Sequence, residues 1–166
     1  ISKIDVATNT IAETIEVGAG PQNLVSSNGD IYISRRFYDD TWTEFHGSSK
    51  ISGGEVSSLT YGSGVICGGS VLSFNDQVYR SVSGGIAPIQ EDLNFDESAR
   101  IGDYNQGNVY HVEIINDNIW FGMIVLDDNG WIANEPGSVK VVGADGVEMT
   151  SYDVGINPGD FAVWNK

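Results

Sequence analysis

The chain has 166 residues, and its 8 Lys and Arg against 23 Asp and Glu give a formal charge of −15. That sign repels a phosphate backbone and an anionic lipid surface, so nucleic acid and the membrane face are disfavoured as partners, while it keeps a strand-rich protein soluble. No apolar run approaches the roughly 18 residues of a spanning helix, so no membrane insertion is expected.

The 21 Gly, against 4 Pro, are scattered singly or in pairs between apolar runs, as in a chain of many tight turns. Cys67 is the single cysteine, which rules out an internal disulfide. Within Ile66-Cys67-Gly68-Gly69 it reads as a buried, inert thiol, compatible with either redox compartment. The chain opens at Ile1 and enters a repeat at once through Ser2-Lys3-Ile4-Asp5. This reads either as a removed leader or, as favoured here, as a start inside a longer protein.

Taken in order, Lys3 to Val6 and Ile11 to Val17 alternate around the corner Ala7-Thr8-Asn9-Thr10, which predicts a hairpin. Leu24-Val25-Ser26 forms a third short strand. Asn28-Gly29 supplies a turn whose twist matches that of strands, and Ile31 to Ser34 follows as a fourth. The Asn28-Gly29-Asp30-Ile31-Tyr32-Ile33 pattern returns as Asn75-Asp76-Gln77-Val78-Tyr79 and as Asn116-Asp117-Asn118-Ile119-Trp120-Phe121. A worn last copy is Pro158-Gly159-Asp160-Phe161 through Trp164. Measured at Ile31, Val78, Ile119 and Phe161, the intervals are 47, 41 and 42 residues. A period in the forties built of short strands predicts an all-β propeller of about four four-stranded blades. The blades are phased at about 2–34, 50–83, 84–124 and 138–166, with insertions at 35–49 and 125–137.

The run from Lys3-Ile4-Asp5 through Thr8-Asn9-Thr10-Ile11, Thr14-Ile15-Glu16-Val17-Gly18 and Pro21, followed by Asn28-Gly29-Asp30-Ile31-Tyr32-Ile33, resembles the YVTN-type β-propeller repeat. Its pattern is an Ile-Asp-x-x-Thr-Asn strand, a Thr-Ile-x-Val-Gly-x-x-Pro strand and an Asn-Gly-x-x-Tyr-Val strand. The match is specific over roughly 2–34 and weaker beyond. The ending Tyr152-Asp153-Val154-Gly155 through Phe161 resembles the closing segment of propeller lipoproteins of Bacteroidetes-type bacteria. The resemblance implies the C-terminal part of a seven-bladed ring in an extracellular, cell-surface or periplasmic protein. Its missing N-terminal blades, or another subunit, would complete it.

The 35–49 segment holds Arg35, Arg36, Phe37, Tyr38, Trp42, Phe45 and His46 and is the most aromatic stretch. Exposed aromatics and Arg suit stacking on a sugar or anchoring a protein; the same side chains could instead cover a blade face or extend the strands into a long hairpin. Farther on, Val65-Ile66-Cys67, Val71 to Phe74, Val109 to Ile114 and Ser138 to Val142 read as strands, Asp92 to Asp96 alternates, and Phe161 to Trp164 ends the last blade. The tip Asp127-Asp128-Asn129-Gly130 before Trp131 is read as a hairpin turn over a Ca²⁺ loop, since it lacks spaced carboxylates and a distal Glu.

With His46 and His111 the only histidines, no zinc-site spacing occurs, and no nucleophile elbow can form without helices. No cofactor, metal or catalytic residue is therefore assigned. The expected function is a non-enzymatic binding or scaffolding module that presents Arg36, Tyr38, Trp42 and His46, with Tyr104 and Trp131 as neighbours, to a protein or glycan partner. The alternative is a glycan hydrolase or lyase using Asp103, Glu97 or His111 near a central channel.

Overall fold

A computed structural model describes residues 1–64 and 69–162. Its elements are β1 (Ser2–Asp5), β2 (Thr10–Thr14), β3 (Pro21–Ser27), β4 (Asp30–Tyr38), β5 (Glu44–Ser52), β6 (Glu55–Gly62) and β7 (Val71–Phe74). They continue with β8 (Gln77–Val82), β9 (Gly85–Pro88), β10 (Val109–Ile115), β11 (Asn118–Met123), β12 (Ser138–Val142) and β13 (Glu148–Asp153). Among the described residues the only helical pieces are single 3₁₀ turns at Glu97–Ala99 and Gln106–Asn108. The expected all-β class holds.

These strands form four antiparallel sheets with strand orders β1-β2, β3-β4-β5-β6, β7-β8-β9 and β10-β11-β12-β13. The repeated Asn-headed turn is the joint between the first and second strands of the three larger sheets. Asn28 and Gly29, Asn75 and Asp76, and Asn116 and Asp117 all take positive φ at both turn positions. That pair of left-handed residues defines a turn whose twist suits a hairpin, and Asn, Asp and Gly pay least to adopt it. The sequence interval is thus a structural one, with Ile31, Val78 and Ile119 at equivalent places on β4, β8 and β11.

The phasing differs from the sequence reading. Sheets run over 21–62, 71–88 and 109–153 rather than over 2–34, 50–83, 84–124 and 138–166. The Asn-headed turn opens each sheet instead of closing it. The segment 35–49 is no insertion, but most of the β4–β5 hairpin, paired from Ile31↔Ile51 to Tyr38↔Glu44. A hairpin turn of one type fits any two neighbouring strands, so an uninterrupted run of hairpins carries a period without a phase. The third sheet has three strands instead of four, its outer edge meeting an isolated bridge from Ile86 to Ile101 and the Asp96 N–H, which donates to the Pro88 carbonyl at 2.9 Å. Asp92 to Asp96 is irregular, Leu93 taking φ +68°. Phe161 and Ala162 lie outside any strand. The strand expected at Val65-Ile66-Cys67, the buried Cys67 and the strand end at Val163 and Trp164 fall outside the described residues.

The apolar cores lie between successive sheets. Ile31, Ile33 and Ile51 pack with Ile1, Ile15 and Val17. Val71, Val78, Ile89 and Leu93 meet Val25, Tyr32 and Leu59. Leu72, Phe74 and Ile86 meet Val109, Val112, Ile119, Phe121 and Met123. The third sheet is covered on both faces, which is why β7 and β9 read as continuous apolar runs and not as alternations. The first strands contact one another, β7 packing against β3 on one side and β10 on the other.

Candidate functional site

Two neighbouring strands build the charged centre. On β4, Arg36 and Tyr38 share a face by alternation, and β5 presents Glu44 and His46 directly across, paired as Arg36↔His46 and Tyr38↔Glu44. Arg36 Nη2 donates to Glu44 Oε2 at 2.6 Å and to the Tyr38 hydroxyl at 3.0 Å, while that hydroxyl donates to the same Oε2 at 2.7 Å. The other carboxylate oxygen, Oε1, lies 3.0 Å from His46 Nε2. Burial alone would raise the Glu44 pKa, but the Arg36 and Tyr38 hydrogen bonds outweigh it and hold the carboxylate below its ordinary range. Burial pushes the His46 imidazole down, with the Glu44 charge opposing, so His46 is held as the neutral ring at pH 7.

The hairpin tip beyond this cluster is a five-residue loop, Asp39 to Thr43. Asp39 Oδ1 accepts the N–H of Thr41 at 2.8 Å and of Thr43 at 2.9 Å, and the Asp39 N–H donates to the Thr43 carbonyl at 3.1 Å. The loop from Asp127 to Trp131, between β11 and β12, repeats the frame. Asp127 Oδ1 accepts from Asn129 and Trp131, each at 2.9 Å, and the Asp127 N–H donates to the Trp131 carbonyl at 2.8 Å. In both loops the fourth residue is left-handed, Trp42 at φ +63° and Gly130 at φ +80°. Each loop holds out a tryptophan, Trp42 at 83% and Trp131 at 75% exposure. The turn reading of Asp127 to Gly130 therefore describes its geometry, and the carboxylate at its head serves the backbone.

Beside the charged cluster lies an open cleft of about 830 Å³. Arg36, Glu44 and His46 line it from the second sheet, Gln22 from the start of β3, and Val109, Tyr110 and His111 from β10. Gly130 and Ile132, either side of Trp131, close it from the far loop. Trp42 packs on the cluster from the hairpin tip, its ring centroid 6.3 Å from the Tyr38 ring.

Of the residues expected to bind, Arg36 and His46 line the cleft; Tyr38 is joined to it through Arg36, Trp42 through Tyr38, and Trp131 through its chain neighbours Gly130 and Ile132. Tyr104 is not joined to it. It packs edge-on against Phe121 at 5.1 Å and donates to Glu148, and its hydroxyl is pushed up to about 12 by burial and then by the Glu148 charge. Of the residues named for an enzymatic site, His111 lines the cleft. Asp103 pairs with Arg100 and Glu97 accepts from Ser83, both away from it. Arg35, adjacent in sequence to Arg36, is buried, donating to the Leu59 carbonyl at 3.0 Å. Sequence reading missed Glu44, Asp39 and Gln22. The signal for Glu44 was available, because Arg-x-Tyr and Glu-x-His on either side of a five-residue loop must fall on one face of a hairpin.

No protein-family model matches the chain, and no curated protein matches it.

Proposed function

We propose that the chain is part of a β-propeller and acts as a non-enzymatic binding module that holds a neutral glycan across the cleft between Trp42 and Trp131. Contact between the first strands β3, β7 and β10, with apolar cores between successive sheets, supports a radial arrangement of blades. Exposed apolar side chains at Ile4, Val6 and Ile11 on the first hairpin support further blades or another subunit packing there. The two matching Asp-anchored loops carry the functional reading. Each fixes its backbone by its own hydrogen bonds and leaves an indole free, and an indole face stacks on the C–H face of a sugar ring. Between them, the Arg36–Glu44–His46 cluster and Gln22 offer donors and acceptors for hydroxyls. A net charge of −15 selects against polyanionic sugars, hence the neutral class. Such a ligand suits an extracellular or cell-surface setting. Among the described residues no helix is long and apolar enough to cross a membrane.

The test is calorimetric titration with a panel of neutral oligosaccharides, followed by chromatography of the recovered sugar. Binding with intact sugar supports the proposal. Cleaved product points to the hydrolase or lyase reading through His111 and neighbouring carboxylates, and no binding to any of the panel overturns both.

A further inference from the structure

His111, on the wall of the cleft, belongs to a second cluster, independent of the sugar reading. His111 and Glu113 alternate with Val112 on β10, so when Val112 enters the core between the third and fourth sheets they point to the opposite face. The chain after β13 returns across that face. Its course is set at Gly122, where any Cβ would collide with the Pro158 carbonyl, and by Phe161, whose ring sits 5.5 Å from His111 and 6.1 Å from Trp120. This brings Asp160 beside His111 and Glu113. One ligand atom from each of the three lies within 4.8 Å of the other two.

His111 Nε2 and Glu113 Oε2 are both buried atoms with no hydrogen-bond partner. Their separation is 3.7 Å. A charge-assisted hydrogen bond would close to about 2.8 Å, whereas ligands held at about 2.0–2.2 Å around one tetrahedral ion stand roughly 3.3–3.6 Å apart. The pair is spaced as two ligands of one ion, and a shift of about an ångström by the exposed Asp160 completes a three-ligand set. We propose that His111, Glu113 and Asp160 form a site for a divalent transition-metal ion such as Zn²⁺, with the fourth position open toward the cleft. One imidazole nitrogen and two carboxylate oxygens suit a borderline cation, and the two carboxylates balance its charge. His111 and Gly159 both line the cleft, which gives an ion its approach from solvent.

The experiment is calorimetric titration of the chelator-treated protein with Zn²⁺, in the absence of any sugar, so that it stands or falls apart from glycan binding. The structure requires one Zn²⁺ per chain, with affinity lowered at least about tenfold in both His111→Gln and Asp160→Asn. Asp160 is exposed, so its variant keeps the fold. Asp128→Asn, which removes an acid on the rim loop outside the cluster, should leave the affinity unchanged. The proposal is overturned if the wild type takes up no stoichiometric Zn²⁺, or if Asp128→Asn weakens uptake as much as Asp160→Asn, since binding would then belong to the acidic surface at large.

Discussion

The second and fourth sheets share one plan, and one of the positions at which they diverge is instructive. Each opens with an Asn-headed left-handed turn and joins its second and third strands by, or through, an Asp-anchored five-residue loop bearing an exposed tryptophan. Each also has an irregularity in its first strand, at Asn23 in β3 and at His111 in β10. In the second sheet the residue opposite is Ser34, whose hydroxyl takes the Asn23 N–H at 3.1 Å and donates to the Asn23 carbonyl at 3.3 Å. The third sheet does the same with Ser81 and Ser70. In the fourth sheet the residue opposite is Gly122, and the missing side chain admits the Pro158 carbonyl. A hydroxyl closes the second and third sheets on themselves; a glycine opens the fourth to the returning chain.

The sharpest way to break this contrast is Gly122→Ser, which gives the fourth sheet the residue of the other two. The new Cβ must displace Pro158, so a loss of about 1–3 kcal/mol in urea unfolding is expected, with Zn²⁺ uptake lost as Asp160 moves away. Full stability with unchanged metal affinity would show that the returning segment is not held at Gly122.

Next in size is the loss of sugar binding in the indole variants. Trp42→Ala and Trp131→Ala should each weaken a bound neutral oligosaccharide by about 1–2 kcal/mol in calorimetry, and the two loops should prove equal partners. A large effect in one alone would make their shared frame incidental to function.

A smaller effect separates the sheets by pH. Because burial lowers the His46 pKa in the folded chain, the unfolded chain binds the proton first. The stability associated with a neutral His46 is therefore complete above the unfolded value of about 6.5 and falls as pH drops through it toward the folded value. His46→Gln should flatten that part of the difference between unfolding curves at pH 7.5 and 5.5. An unchanged slope would mean that His46 is as easily protonated folded as unfolded.

The smallest expected change sharpens the comparison of the loops themselves. Their fourth residue is glycine in one and Trp42 in the other, and a bulky side chain at positive φ costs about 1 kcal/mol. Trp42→Asn, which tolerates that backbone, should gain up to about 1 kcal/mol in stability while losing sugar affinity. Gained affinity or lost stability would deny that the strain is retained for exposure of the indole.

Much of this was legible in the chain itself, and the reasons for the rest are physical. The Asn-headed turns showed through because only a few residues accept two consecutive left-handed conformations. The sheet limits did not, since hairpins in series have no marked beginning. Arg36, Tyr38, Trp42 and His46 stood out as one aromatic, cationic stretch. Glu44 lay hidden within it because a single glutamate reads as surface until the hairpin register sets it opposite Tyr38. The shared frame of Asp39-Asp40-Thr41-Trp42-Thr43 and Asp127-Asp128-Asn129-Gly130-Trp131 needs the hydrogen bonds to be seen, as only the two aspartates coincide position for position and the tryptophan stands fourth in one and fifth in the other. Asp160 joins His111 and Glu113 across the whole of the fourth sheet, a distance at which ligand spacing in sequence says nothing. Tyr104 failed as a cleft residue because its ring packs on Phe121, the apolar position equivalent to Ile33 in the second sheet.

The most direct measurement of the central claim is the two-dimensional NMR spectrum of the tryptophan indole N–H groups during titration with a neutral oligosaccharide, with signals assigned by single Trp→Phe variants. The Trp42 and Trp131 signals should move together with one half-saturation concentration, and that of Trp120 should stay in place. Stationary signals from both rim indoles across the panel, or movement of one with the other fixed, would contradict a ligand held between the two loops.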